Sequence, residues 1–309
     1  MAVLNTNGLL YDDGYIERSF YSSTSRAIFG HGTNGTNLSI TNQVNMNGLV
    51  ATDVTSVATA RPTLAAAGYG GDKAIFGYGV VSGVGRSALT NLVSNIGVVS
   101  ADVTGVGTAR YELAAAGYGG DKAIFGYGYT STHVSITNLV SNVGVVSDDT
   151  AGVGSIRTQL AAASYGIDKA IFGYGRVDAG TLSMTNLVSN VGVVATDVTG
   201  VGTARLFLAA AGYGGDKAIF GYGSTGAVQS ITNLVSNVGV VAADTTGVGT
   251  ARYILAAATF GGDMAIFGYG SSAGYSSITN LVSNVGAVFS DATGVGTARN
   301  GLAAAGYSA

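Results

Sequence analysis

Six arginines, Arg61, Arg110, Arg157, Arg205, Arg252 and Arg299, each follow an aspartate by eight positions: Asp53, Asp102, Asp149, Asp197, Asp244 and Asp291. Two chemistries suit that pattern. Guanidinium groups spaced around an axis could hold an anion. Alternatively, each planar fork pairs with an aspartate or with turn carbonyls where one repeat hands over to the next. The second reading is preferred, because few ligands have sixfold symmetry and the pair is kept in every copy. Other chemistry is sparse. The 309 residues contain no cysteine, which excludes thiolate nucleophiles and thiolate metal sites. The two histidines, His31 and His133, fall in copies far apart, an unfavourable start for a histidine-based triad. Asp72, Asp121, Asp168 and Asp216, each followed by a lysine, supply one carboxylate per copy, which suits turn chemistry and not the converging oxygens that calcium requires. No cofactor is expected. Acids outside the repeated positions, and so available as a pair for sugar hydrolysis, come down to Glu112 and Asp178.

The arginines belong to a long repeat. The run A-I-F-G begins at Ala27, Ala74, Ala123, Ala170, Ala218 and Ala265, at spacings of 47, 49, 47, 48 and 47 residues, and the block L-A-A-A-G-Y or a variant begins at Leu64, Leu113, Leu160, Leu208, Leu255 and Leu302. Periods of this size belong to helical arrays or β-propellers. Glycine interrupts every helical window, at about 1 kcal/mol per interior glycine, and divides each period into four short runs of strand length. The expectation is an all-β, six-bladed propeller with four-stranded antiparallel blades. The order of blocks, with A-I-F-G first and L-A-A-A-G-Y last, predicts that the C-terminal strand completes the N-terminal blade and closes the ring. Residues 1–25 fall outside the repeat and read as an arm; residues 26–309 form the ring.

The run from Thr108 to Gly128, T-A-R-Y-E-L-A-A-A-G-Y-G-G-D-K-A-I-F-G-Y-G, resembles the kelch repeat, in which an arginine precedes a small-residue inner strand and a hydrophobic strand ends in glycines. The resemblance covers residues 26–309 and implies a propeller. It departs from the kelch pattern in having its glycines split by an aromatic and no tryptophan. The glycine-rich chromosome-condensation-regulator type of propeller is a competing resemblance, usually with seven blades.

Copies that share a scaffold differ where the scaffold does not dictate the residue. Two places vary: the segment after F-G-Y-G and the pair after T-A-R. They hold Arg86, Tyr111, Glu112, Tyr129, His133, Gln159, Arg176, Asp178, Phe207, Gln229, Tyr253 and Tyr275. In an up-and-down blade both places emerge on one side of the disk, and loops on a rigid frame are where recognition is built. That side is the candidate binding face. The repeated tyrosines, by contrast, read as wedges between sheets, with His31 in one tyrosine place.

Composition narrows the partners. Charged residues make up 10%, against about 25% in ordinary soluble domains, and the net charge is -3 with its lysines and arginines dispersed. Nucleic acid is not expected as a ligand. No apolar run reaches the ~18 residues of a membrane span, and the amino terminus lacks a secretory leader pattern, so neither membrane insertion nor export is expected. A composition rich in Gly, Ala, Ser, Thr, Val and Asn, carried on near-identical repeats, is similar in style to the fibre, tail and decoration proteins of tailed-bacteriophage virions. The expectation is a non-enzymatic virion protein, made in a host cytoplasm. Its arm would meet other virion or assembly proteins, and its variable face a protein or a host-surface glycan. The alternatives are a carbohydrate-active propeller enzyme and a cytoplasmic kelch-type adaptor.

Overall fold

The computed structural model describes residues 3–4, 10–12, 15–16 and 25–308. Most of the expected arm lies outside these residues. Within it, Val3–Leu4, Leu10–Asp12 and Tyr15–Ile16 pair antiparallel as a small sheet. Ser25, assigned to the arm on sequence, is instead the first residue of a strand. The described chain is all-β, with no helix long and apolar enough to cross a membrane among these residues.

Six antiparallel sheets carry the repeat. Their first strands are Ala65–Tyr69, Ala114–Tyr118, Ala161–Tyr165, Ala209–Tyr213, Ala256–Phe260 and Ala303–Ser308. Each pairs with a second strand, Lys73–Gly77, Lys122–Gly126, Lys169–Gly173, Lys217–Gly221, Met264–Gly268 or Ser25–Gly30, which lies in the middle of its sheet. The sixth pairing joins the two ends of the chain, Tyr307 opposite Arg26 and Ala303 opposite Gly30. Third strands follow, such as Thr137–Val140 and Ile40–Val44.

The expected fourth strand forms in one sheet only, as Val54–Thr55 beside Ile40–Val44. In the others that run is reduced to two isolated bridges, for example Val93 with Val99 and Thr90 with Val103. Between those bridges the outer run has one residue more than the strand it faces, which is the arithmetic of a β-bulge. The bulge turns the repeated aspartate, here Asp102, inward onto Asn91 at 2.9 Å instead of letting the ladder continue.

Packing between sheets follows from residue size. In every second strand the Ala-Ile-Phe-Gly run is wholly buried, as expected of a strand covered on both faces. The phenylalanine of one sheet lies over the closing glycine of the sheet before it: Phe76 on Gly30, Phe125 on Gly77, Phe172 on Gly126, Phe220 on Gly173, Phe267 on Gly221 and Phe29 on Gly268. Each hydrophobic cluster therefore mixes residues of two consecutive sheets, including one that joins Phe29 and Val44 to Ile266 and Tyr269. First strands touch in sequence order, and Ala303–Ser308 touches both Ala256–Phe260 and Ala65–Tyr69. Their small residues permit this approach. A Cβ on Gly68 would stand 3.1 Å from the Gly306 carbonyl.

Gly221→Ala puts a methyl 2.7 Å from Phe267 Cζ and 3.2 Å from Thr232 Cγ2, where neither sheet has room to yield. It is expected to cost about 1–3 kcal/mol in chemical denaturation, the usual range for overpacking. Gly274→Ala, whose new methyl meets nothing within 4 Å, is expected to stay within about 0.5 kcal/mol of the parent.

Candidate functional site

The repeated arginines are buried to 0% exposure and form the joints between sheets. Arg205 shows the pattern. Its Nε donates to the Tyr222 carbonyl at 2.8 Å, one terminal nitrogen to Thr203 O at 3.1 Å, and the other to Asn233 Oδ1 at 2.7 Å. Those partners belong to its own sheet and its lead-in segment, while its flat face lies 4.6 Å from the ring centre of Tyr174 in the preceding sheet. Asn233 passes the contact on to Asp244 at 2.9 Å, and Asp244 also accepts from Thr203 Oγ1 at 2.6 Å. Burial alone would raise the Asp244 carboxyl, but the hydrogen bonds from Thr203 and Asn233, with Arg205 behind them, hold it below the ordinary carboxylate range.

The aspartate eight positions earlier is not the partner. Arg61 faces Asp102, Arg110 Asp149, Arg157 Asp197, Arg205 Asp244, Arg252 Asp291 and Arg299 Asp53, at 3.6 to 4.0 Å. The earlier aspartate belongs to the sheet before. The repeated asparagines are the hubs between guanidinium and carboxylate, as Asn233 is between Arg205 and Asp244.

Two circles of backbone hydrogen bonds lie inside this frame. On the side of the variable loops, the second residue of each variable pair donates to its counterpart one sheet earlier: Glu112 N to Thr63 O, Gln159 to Glu112, Phe207 to Gln159, Ile254 to Phe207, Gly301 to Ile254, and Thr63 back to Gly301 O at 2.7 Å. All six hold φ between 53° and 63°, a left-handed conformation that strains the β-branched Thr63 and Ile254. On the other side, Gly70, Gly119, Gly166 and Gly214 donate to Asp121, Asp168, Asp216 and Asp263, while Gly261 donates to Ser25 and Ser308 to Asp72. That second side surrounds a depression of about 340 Å³ whose lysines Lys73 and Lys122 are tied to the adjacent Asp72 and Asp121 at 2.6 and 2.8 Å.

The variable positions meet one another. Residues of the pair after T-A-R bridge to the loop after F-G-Y-G, as Tyr111 with Tyr129, Thr158 with Arg176 and Tyr253 with Ser271. One sector gathers most of the candidate residues. The Tyr111 and Tyr129 rings are 5.5 Å apart, Tyr129 meets His133 edge-on at 5.3 Å, and His133 Nε2 is 3.0 Å from Asp178 Oδ1. Asp178 is fully exposed, but His133, expected on a surface loop, is buried to 7% beneath it. Glu112 Oε2 accepts from Thr158 Oγ1 at 3.1 Å and Gln159 Nε2 at 2.8 Å. Burial raises the Glu112 carboxyl above the ordinary range, against the hydrogen bonds and the charges of Arg176 and His133. Phe207 and Tyr253 form a second aromatic pair at 6.1 Å. Arg86, Arg176 and Tyr275 stand exposed on their loops, and Gln229 is bound to Thr225 and Ala227 in its own loop. Sequence reasoning missed the small axial depression of about 80 Å³ that the first circle rims and six leucines, Leu64 to Leu302, floor. Those leucines sit in constant blocks and carried no signal of their own. Among the described residues, no three metal-ligating side chains gather.

No family model matches the sequence, and no curated protein is significantly similar to it.

One joint in the frame differs from the rest. Tyr78, Tyr127, Tyr174, Tyr222 and Tyr269 all take φ near 64°, lie beneath an arginine of the next sheet and donate their hydroxyls to a carbonyl such as Val106 O at 3.2 Å. His31 holds the sixth place with φ 63° and packs edge-on to Phe76 at 5.3 Å, but neither of its buried ring nitrogens has a partner. Burial first, then Arg61, pushes its titration from the ordinary 6.5 down to about 3, with Asp102 opposing. Between those values the unfolded chain takes up a proton that the folded chain refuses. The His31 contribution to stability is therefore complete above pH 6.5 and is lost as pH falls toward 3. His31→Tyr, which restores the ring and a hydroxyl for the Val57 carbonyl, is expected to raise the unfolding midpoint at pH 8 and to raise it further at pH 4.5. Parallel melts of the two proteins across pH isolate this difference from the aspartates, which are shared.

Proposed function

We propose that the chain is a six-bladed β-propeller closed by its terminal strands, and that it serves as a non-enzymatic binding scaffold whose loop-bearing side recognises a partner protein. The propeller reading is supported by six sheets in cyclic contact, by six phenylalanine-on-glycine contacts that return to their start, and by the two circles of backbone hydrogen bonds. The observation that carries the functional reading is the joined, asymmetric cluster of Tyr111, Tyr129, His133, Asp178 and Glu112 on one side of a frame that is otherwise repetitive. Nearly every constant polar group near it is occupied by the frame, whereas half-buried aromatic and exposed charged side chains, residue types that anchor protein interfaces, accumulate where the copies differ.

Low charge and near-identical repeats further support a place in a large particle of the tailed-phage virion type, with the arm as anchor. Ser25 is paired to Ser308 and accepts from Gly261, so the arm that can be removed ends at residue 24.

Selection of the full chain against a displayed-peptide library, run beside a glycan array and a glycoside-hydrolysis screen, tests the face. Enriched peptides are expected, with Tyr129→Ala weakening them about tenfold or more at an unchanged unfolding midpoint. Binding indifferent to Tyr129 and Tyr253, glycan binding alone, or turnover of a glycoside would contradict the reading. Deleting residues 1–24 is expected to leave the melting curve of the ring intact while abolishing incorporation into particles; retained incorporation removes the anchoring role.

A further inference from the structure

The axial depression on the loop-bearing side has an uneven chemistry that the sixfold frame does not require. Around its rim the equivalent positions are Thr63, Glu112, Gln159, Phe207, Ile254 and Gly301, and Glu112 is the sole charged side chain in the lining. The hydrogen bonds that Thr158 and Gln159 donate to the Glu112 carboxyl both reach Oε2. Most donors of the same rim are engaged. The backbone N–H groups are used up in the circle of hydrogen bonds, and the Thr63 hydroxyl donates to Pro62 O at 2.7 Å. Beneath lie only leucine side chains. The depression is small, about 80 Å³, and open at its mouth.

A guest matched to this lining is apolar along its length and carries donors and positive charge at one end. We infer that this depression binds a primary ammonium on an unbranched alkyl stem, with the stem against the leucines and the ammonium donating to the Glu112 carboxylate. The inference rests on the partner-binding reading of this face, for which the natural source is a lysine side chain inserted by the partner; a free alkyl diamine carries the same chemistry. The buried carboxyl is restored to its ionised form by such a guest, so binding strengthens as pH rises through the elevated titration range of Glu112. Tyr111, Arg176 and His133 also face Glu112 electrostatically, but none of them lines the depression.

The test is titration of the full chain with n-butylammonium, 1,4-diaminobutane and a short flexible peptide with one central lysine, with n-butanol and butyrate as controls, followed by amide shifts at the rim. All three ammonium probes are expected to bind one per chain, and the controls not at all. Glu112→Gln is expected to weaken the ammonium probes about 10- to 100-fold, the worth of a hydrogen bond to a charged group. The variant is checked by its unfolding midpoint. Equal binding of butanol, or binding unaffected by Glu112→Gln in a folded variant, overturns the inference. A lysine peptide that binds more tightly than the diamine, and loses that advantage in Tyr129→Ala, identifies a protein as the source; equal binding of the two assigns the site to a free diamine. Selected partner peptides that need Tyr129 but tolerate Glu112→Gln would refute the depression alone and leave the face standing.

Discussion

A buried arginine that bonds to its own sheet and stacks on the sheet before it is the interaction on which the rest of this architecture depends. Leaving a guanidinium at 0% exposure is costly unless its donors are met, and here they are met by one tyrosine or histidine carbonyl, one lead-in carbonyl and one asparagine in nearly every copy. The exception is Arg157 Nε, which lacks a partner. The carboxylate stands a little farther off and acts through asparagine and threonine, so each joint is a network and not a simple ion pair. That requirement explains the bulge in the fourth run and the left-handed tyrosines. It also explains the glycine before the arginine in five copies, Gly107, Gly154, Gly202, Gly249 and Gly296, where a Cβ would meet the aspartate and asparagine; the first copy carries Ala58 at this place.

With the joints fixed, most variation falls at positions the joints do not use. The pair after T-A-R has a constrained backbone, since its second residue must enter the circle of hydrogen bonds at positive φ, yet its side chain is free. Glutamate, glutamine, phenylalanine and isoleucine therefore stand at equivalent places around one axis. A symmetrical frame thus presents an unsymmetrical mouth, polar on the side of Glu112 and Gln159 and apolar on the side of Phe207 and Ile254. His31 is the converse case, a departure within the frame itself, and it leaves one joint short of a hydroxyl.

Much of the frame was legible in the sequence because it is written in periodic size and polarity: Ala-Ile-Phe-Gly reads as a doubly covered strand, and the order of the blocks anticipates the pairing of Ser25–Gly30 with Ala303–Ser308. Three features were not legible. The fourth run has strand composition, but the inward turn of Asp102 breaks its ladder, and that turn depends on where Asn91 sits across the sheet. The eight-residue spacing of aspartate and arginine suggested a local pair, whereas the contact is made with the aspartate of the arginine's own sheet, far along the chain. On the loop side, Tyr129 and Tyr111 were placed together by topology. The burial of His133 under Asp178 and the unmet acceptor of Gln159 depend on side-chain packing that no spacing rule records.

The central claim is that six sheets form a closed circle, and one amide reports on it most directly. Thr63 N–H donates to Gly301 O across the junction between the two ends of the chain, while the other five bonds of the circle join sheets that follow one another in sequence. Hydrogen exchange resolved at these six amides is predicted to give Thr63 the same protection as Glu112, Gln159, Phe207, Ile254 and Gly301. Exchange at Thr63 orders of magnitude faster than at the other five would show an open array and contradict the account.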